Sequence, residues 1–175
     1  LSRGGNDFRQ FALTDDGSQV AYLGERDARP NELDKTYRIW YFRRGMDSAV
    51  RLADKFSPGM KLGMKISEYG NLSFSQSGKR LFFGVAPILP IPDTSLVESE
   101  LAKFDLWHYN DDYLQTVQTF PARLQSDRQQ NFLSVYDLEN GSITQLADKQ
   151  MPQVLMTDKG DGETFVGITD FGKRI

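Results

Sequence analysis

Two groups of carboxylates hold the residues best suited by type to chemistry in this 175-residue sequence. In residues 104–113 (FDLWHYNDDY) the only histidine, His108, stands near Asp105, Asp111 and Asp112. Imidazole beside carboxylates can ligate a metal, but this spacing matches no ligand pattern. In a strand, alternation would also send Asp105 and His108 to opposite faces. The preferred reading is an aromatic strand ending in a polar turn at Asn110-Asp111-Asp112. The second group, Asp158, Asp161 and Glu163, suggests calcium. A calcium loop needs oxygen-bearing side chains where Gly160 and Gly162 stand, so a tight hairpin turn is expected there. No metal site and no cofactor are therefore expected. Nor is a catalytic residue: the chain has no G-x-S-x-G segment and no cysteine. Trp40, Tyr41, Phe42, Trp107 and Tyr109 could form a stacking platform for a ligand. Burial in a core is the preferred alternative, since each large side chain so placed contributes about 1.5–3 kcal/mol.

What positions these residues is a repeat. Residues 71–84, NLSFSQSGKRLFFG, read as a β-hairpin with its turn at Ser75-Gln76-Ser77-Gly78. Glycine at the end of the turn supplies a positive φ, and the hydroxyls ahead of it bond to the local backbone. The pattern recurs in residues 11–24, FALTDDGSQVAYLG, and in residues 154–167, VLMTDKGDGETFVG. A second repeat interlocks with it: AVRLADK (49–55) matches ITQLADK (143–149), each after a turn and an aromatic strand, YRIWYF (37–42) or FLSVY (132–136). Hairpin, strand, turn and strand in that order make a four-stranded antiparallel unit, the blade of a β-propeller.

The fold class expected is thus all-β, a partial β-propeller of about two and a half four-stranded blades with one long insertion. Blade 1 is expected over about 8–54, with strands near 11–14, 19–23, 37–42 and 49–52. Blade 2 is expected over about 71–148 with an insertion at 85–130, and the first hairpin of blade 3 over about 152–169. The charged, proline-broken loop at 25–35 reads as solvated. Alternation at Leu62, Met64 and Ile66 suggests a further short strand. Within the insertion, Pro87, Pro90 and Pro92 favour an extended path, SLVESELAK (95–103) a short helix, and LQSDRQQN (124–131) a loop or helix end. Closed propellers have roughly four to eight blades, so the chain reads as part of something longer. Its opening, LSRGG, points the same way.

Composition agrees with a folded domain: 39% hydrophobic, 12% aromatic and 26% charged residues. A net charge of −3 without a basic stripe excludes nucleic acid as the expected partner. No apolar run is long enough to span a bilayer.

With those residues in place, the sequence resembles the propeller of the prolyl oligopeptidase family of serine peptidases, in the large exported form of Bacteroidetes-type bacteria. SFSQSGKRLFFGVAP (73–87) and DLWHYNDDYLQ (105–115) carry the resemblance; the hairpin motif itself is shared with TolB-like propellers. The resemblance implies an exported or periplasmic protein whose propeller covers a C-terminal α/β-hydrolase domain and restricts access to peptide substrates. In the dipeptidyl-peptidase branch paired glutamates hold the substrate amine. Glu98 and Glu100 lie in the corresponding insertion, without the aromatic signature of that branch, and are the candidate substrate-binding residues. The alternatives are a TolB-like module binding a protein partner, and a carbohydrate-binding propeller using Trp107 and Tyr109. The bare edge of the last hairpin would favour a dimer or strand exchange between copies.

Overall fold

A computed structural model describes residues 7–27, 35–90, 106, 108–109, 111, 114–170 and 172. Among these the chain is all-β apart from two short α-helices and one 3-10 turn. The first sheet is a meander in the order β1-β2-β3-β4, formed by Asp7–Leu13, Gln19–Glu25, Arg38–Arg43 and Val50–Ala53. In the second sheet β5 (Met64–Ile66) and β6 (Ser73–Phe74) share one edge of β7 (Arg80–Pro87), followed by β8 (Phe132–Asp137) and β9 (Ser142–Gln145). β10 (Gln153–Leu155) and β11 (Val166–Ile168) form a further hairpin. All pairings are antiparallel.

The sheets stack as blades, and the burial of β7 shows it. Leu81, Phe82, Phe83 and Val85 are all buried, although neighbours along a strand point to opposite faces. Leu81, Phe83 and Val85 join Ala21, Leu23 and Ile39 of the first sheet in one core. Phe82 serves the other side, where its ring meets Phe165 of the third hairpin edge to face at 6.1 Å. A strand covered on both faces reads as a continuous apolar run. The outer β8, by contrast, alternates buried Phe132, Ser134 and Tyr136 with half-buried Leu133 and Val135.

The repeated motifs fold into repeated turns. Gly17, Gly78 and Gly160 have φ of +63°, +70° and +93°, and each donates its N–H to the residue three before it, Thr14, Ser75 or Thr157, at 2.8–2.9 Å. The two LADK segments end strands in the same manner. Asp54 Oδ1 accepts the Phe56 N–H at 2.8 Å, and Asp148 Oδ1 accepts the Gln150 and Met151 N–H groups at 2.9 Å. Leu52-Ala53 end β4 and Leu146-Ala147 follow directly on β9, and in both copies the aspartate caps the turn that follows.

Several expectations change. Glu25, assigned from the sequence to a solvated loop, ends β2 and is 2% exposed. The strand at 62–66 begins only at Met64, and Leu62 is fully exposed. β7 runs on through Pro87, which pairs with Met64, so the excursion leaves the sheet three residues later than expected. β8 pairs with β7 only as far as Val85, and a residue without an N–H is tolerated on that vacated edge. The stretch 124–131, expected as a loop or helix end, is indeed the end and exit of helix α2, Pro121–Arg128, which follows α1, Gln115–Gln118. Its proline sits at the first helical position, where the missing N–H breaks no bond. The expected aromatic strand is absent at Leu106, His108 and Tyr109. They lie in irregular structure, where the Asp111 N–H donates to the His108 carbonyl and the Asp111 carboxylate accepts the His108 N–H, and Tyr109 is 86% exposed rather than core. The expected helix at 95–103, together with Asp105, Trp107 and Asp112, falls outside the described residues.

Candidate functional site

Antiparallel meanders give the molecule two ends. At one lie the glycine turns that join β1 to β2 and β6 to β7. The other holds the starts of β1 and β10, the end of β7 and the root of the excursion. Two networks fix this second end. Tyr37, buried at the start of β3, donates to Asp7 Oδ2 across β2 at 2.7 Å, and Arg9 and Lys35 approach the same carboxylate. The Tyr37 hydrogen bond is the main reason the Asp7 carboxyl lies below its usual range, and burial pushes the Tyr37 phenol up. Tyr37 also bridges to Ile66, joining the first sheet to the second. Beside it, Gln10 interrupts β1 with φ of +52° and donates Nε2 to the Glu68 carbonyl at 3.2 Å.

The second network is a close approach of backbones. A Cβ on Gly70 would lie 2.4 Å from Gly84 Cα, and one on Gly84 would lie 2.5 Å from Asn131 Oδ1. Only glycine at both positions lets the chain after β5 cross β7 and lets the excursion return directly above it. Asn131 is held there by donating Nδ2 to the Gln129 carbonyl at 3.1 Å.

Above this crossing opens a cleft of about 680 Å³. One wall is α2 and its exit, with Gln125, Ser126, Gln129, Gln130 and Asn131; the other is Gln153 of β10. Tyr69, 47% exposed, and Pro152 add flat apolar surface. Among the described lining residues only Asp127 carries a charge. Among the described lining residues the arrangement offers many neutral donors and acceptors, which can bind and orient a ligand. Leu114, Val117, Phe120 and Leu124 of the same excursion are exposed.

Glu98 and Glu100, the candidate substrate-binding residues, lie outside the described residues. Asp158 and Asp161 do not gather at a metal site, and no group of metal-ligating side chains occurs among the described residues. Asp161 instead reaches the second sheet, where its carboxylate accepts the Ser77 N–H at 2.7 Å and the Ser77 hydroxyl at 2.6 Å. Those bonds lower its pKa, the hydroxyl foremost. The carboxamide cleft was not anticipated from the sequence. One signal was available: Gln10, Asn71 and Gln153 each stand four residues before the turn residue Thr14, Ser75 or Thr157.

The strand order, the two-sided burial and the recurrent turns define the class: an all-β chain built as part of a β-propeller. The sequence matches no family model and no curated protein. Among solved structures, TolB from Acinetobacter baumannii aligns at 11% identity and a TM-score of 0.41, over 95% of this chain and 30% of that one. The tricorn protease aligns at 11% identity and a TM-score of 0.34, over 93% of this chain and 20% of that one. The chain thus spans a third or less of either structure. Both scores are too low to carry an argument about activity, and the fold class rests on the strand registers given above. No described helix is long and apolar enough to cross a membrane.

Proposed function

We propose that the chain is the non-catalytic propeller segment of an exported serine peptidase of the prolyl oligopeptidase type, acting as scaffold and gate for peptides. One observation carries the reading. The excursion is inserted between β7 and β8, which pair directly through Gly84↔Leu133 and Val85↔Phe132, so the blade closes without it. A segment the sheet does not need, rooted beside a polar cleft, suits a gate better than a scaffold element. Glu98 and Glu100 on that segment would meet the substrate's amino terminus. The exposed Leu114, Val117, Phe120 and Leu124 suit contact with the α/β-hydrolase domain. The exported location follows from the family resemblance alone.

The reading frame beyond the codon for Ile175 tests this directly. A G-x-S-x-G segment followed by an aspartate and a histidine is expected. A frame without them would leave an interaction propeller of the TolB-like kind. The 175-residue chain itself should not turn over chromogenic proline peptides, since it has no nucleophile motif. Turnover abolished by a serine-directed inhibitor would overturn that expectation.

A further inference from the structure

We propose that the cleft between α2, Tyr69 and β10 binds an extended, uncharged stretch of peptide through its backbone, using side-chain carboxamides as the reading groups. The choice of peptide as ligand rests on the gating function proposed above; the rest comes from the cleft. A carboxamide offers both a carbonyl acceptor and N–H donors, so it can pair with either the N–H or the C=O of a peptide unit. Gln125, Gln129, Gln130, Asn131 and Gln153 place five such groups around one opening. A charged ligand would meet no complementary cluster there, since Asp127 is the only charged residue among the described walls. Tyr69 and Pro152 supply the flat apolar contact that proline or an aliphatic side chain would cover. A volume of about 680 Å³ lies in the ordinary range of ligand clefts.

The placement is also repeated. Gln10, Asn71 and Gln153 occupy the same position in the three hairpin repeats, at the end where the excursion is rooted. Gln10 holds a left-handed backbone conformation that non-glycine residues adopt at a cost, and it does so while bonded to Glu68, next to Tyr69. Gln10 itself lies outside the cleft walls; its bond to the Glu68 carbonyl fixes the backbone beside Tyr69, which does line the cleft.

The test is calorimetric titration of the chain with the capped peptide acetyl-Gly-Pro-Ala-Gly-Pro-Ala-amide. Binding is expected that changes little when salt is raised from about 50 to about 500 mM, because no ion pair is involved. Gln153→Leu and Gln125→Leu should each weaken it about tenfold with an unchanged unfolding transition, since both side chains are exposed. Absence of binding, binding unaffected by both variants, or binding lost in salt would overturn the proposal. So would capture of cellohexaose in place of the peptide. If the peptide binds and the downstream frame lacks a hydrolase motif, the cleft assignment stands and the peptidase reading falls. The opposite pair of results separates them the other way.

Discussion

The two ends of the strands are built on opposite rules. At the turn end each repeat is tied to the next by the same bond. Gln19, two residues after Gly17, donates to the Gly78 carbonyl at 3.2 Å. Arg80, two residues after Gly78, donates to the Gly160 carbonyl at 3.1 Å and to the Gly162 carbonyl at 2.7 Å. Ser77 and Asp161 add a second tie between the same two repeats. The connections at that end stay short, the longest being residues 156–165 between β10 and β11. At the other end the connections differ from blade to blade, and the one between β7 and β8 grows into an excursion of more than forty residues. Lacing one end frees the other, because an insertion on a fixed base adds only slowly to the entropy cost of closing a loop.

Changes that break this division should differ in size. The largest effect is expected for Gly84→Ala, where the new methyl would meet Gly70 Cα at 2.7 Å and Asn131 Oδ1 at 2.5 Å. It should cost about 3 kcal/mol by denaturant titration, and it strikes the base of the cleft. Arg80→Ala should cost about 2 kcal/mol by removing two charge-assisted bonds. Its effect should appear as raised amide exchange across β10 and β11 while the first sheet keeps its protection. A loss spread evenly over the first two sheets would contradict the stepwise lacing.

A smaller effect is expected from acid. The Asp161 carboxyl titrates below its usual 3.8 in the folded chain, chiefly because the Ser77 hydroxyl bonds to it. A depressed carboxylate stabilises fully above its unfolded value, and that stabilisation is lost as the pH falls through the folded one. The Phe165 ring signals should therefore shift below about pH 4 in the wild type. In Asp161→Asn this acid-dependent step should vanish. The smallest change concerns association. Leu155, Val166 and Ile168 of the third hairpin are all about half exposed, so light scattering should detect dimers that Val166→Lys reduces.

The strands were legible in the sequence where a repeat stated them more than once. Three copies of the glycine turn and two of LADK placed β1 to β4 and β6 to β9 within a few residues. The pattern was weak where burial did not follow local polarity. Glu25 looked like a loop charge, yet β2 carries it into the interior beside Asp27, whose N–H it accepts at 2.6 Å. Tyr109 looked like core, yet it sits in a hydrogen-bonded turn and is largely exposed. The cleft was harder still, since its walls come from residues 69, 122–131 and 152–153, which only the Gly70–Gly84 crossing brings together. The tie from Asp161 to Ser77 spans 84 positions, and no local spacing encodes it.

The central claim is that the excursion serves binding and the laced blades serve stability. Its most direct test replaces residues 115–130, which carry α1, α2 and most of the cleft wall, with a short glycine-serine link. Thermal unfolding and capped-peptide titration are then measured on the same sample. The account predicts an unfolding midpoint within about 2 °C of the parent, because β7 and β8 pair without the segment, together with peptide binding at least tenfold weaker. Unchanged binding would show the excursion to be a decoration, and a collapse of the midpoint would show it to be part of the scaffold.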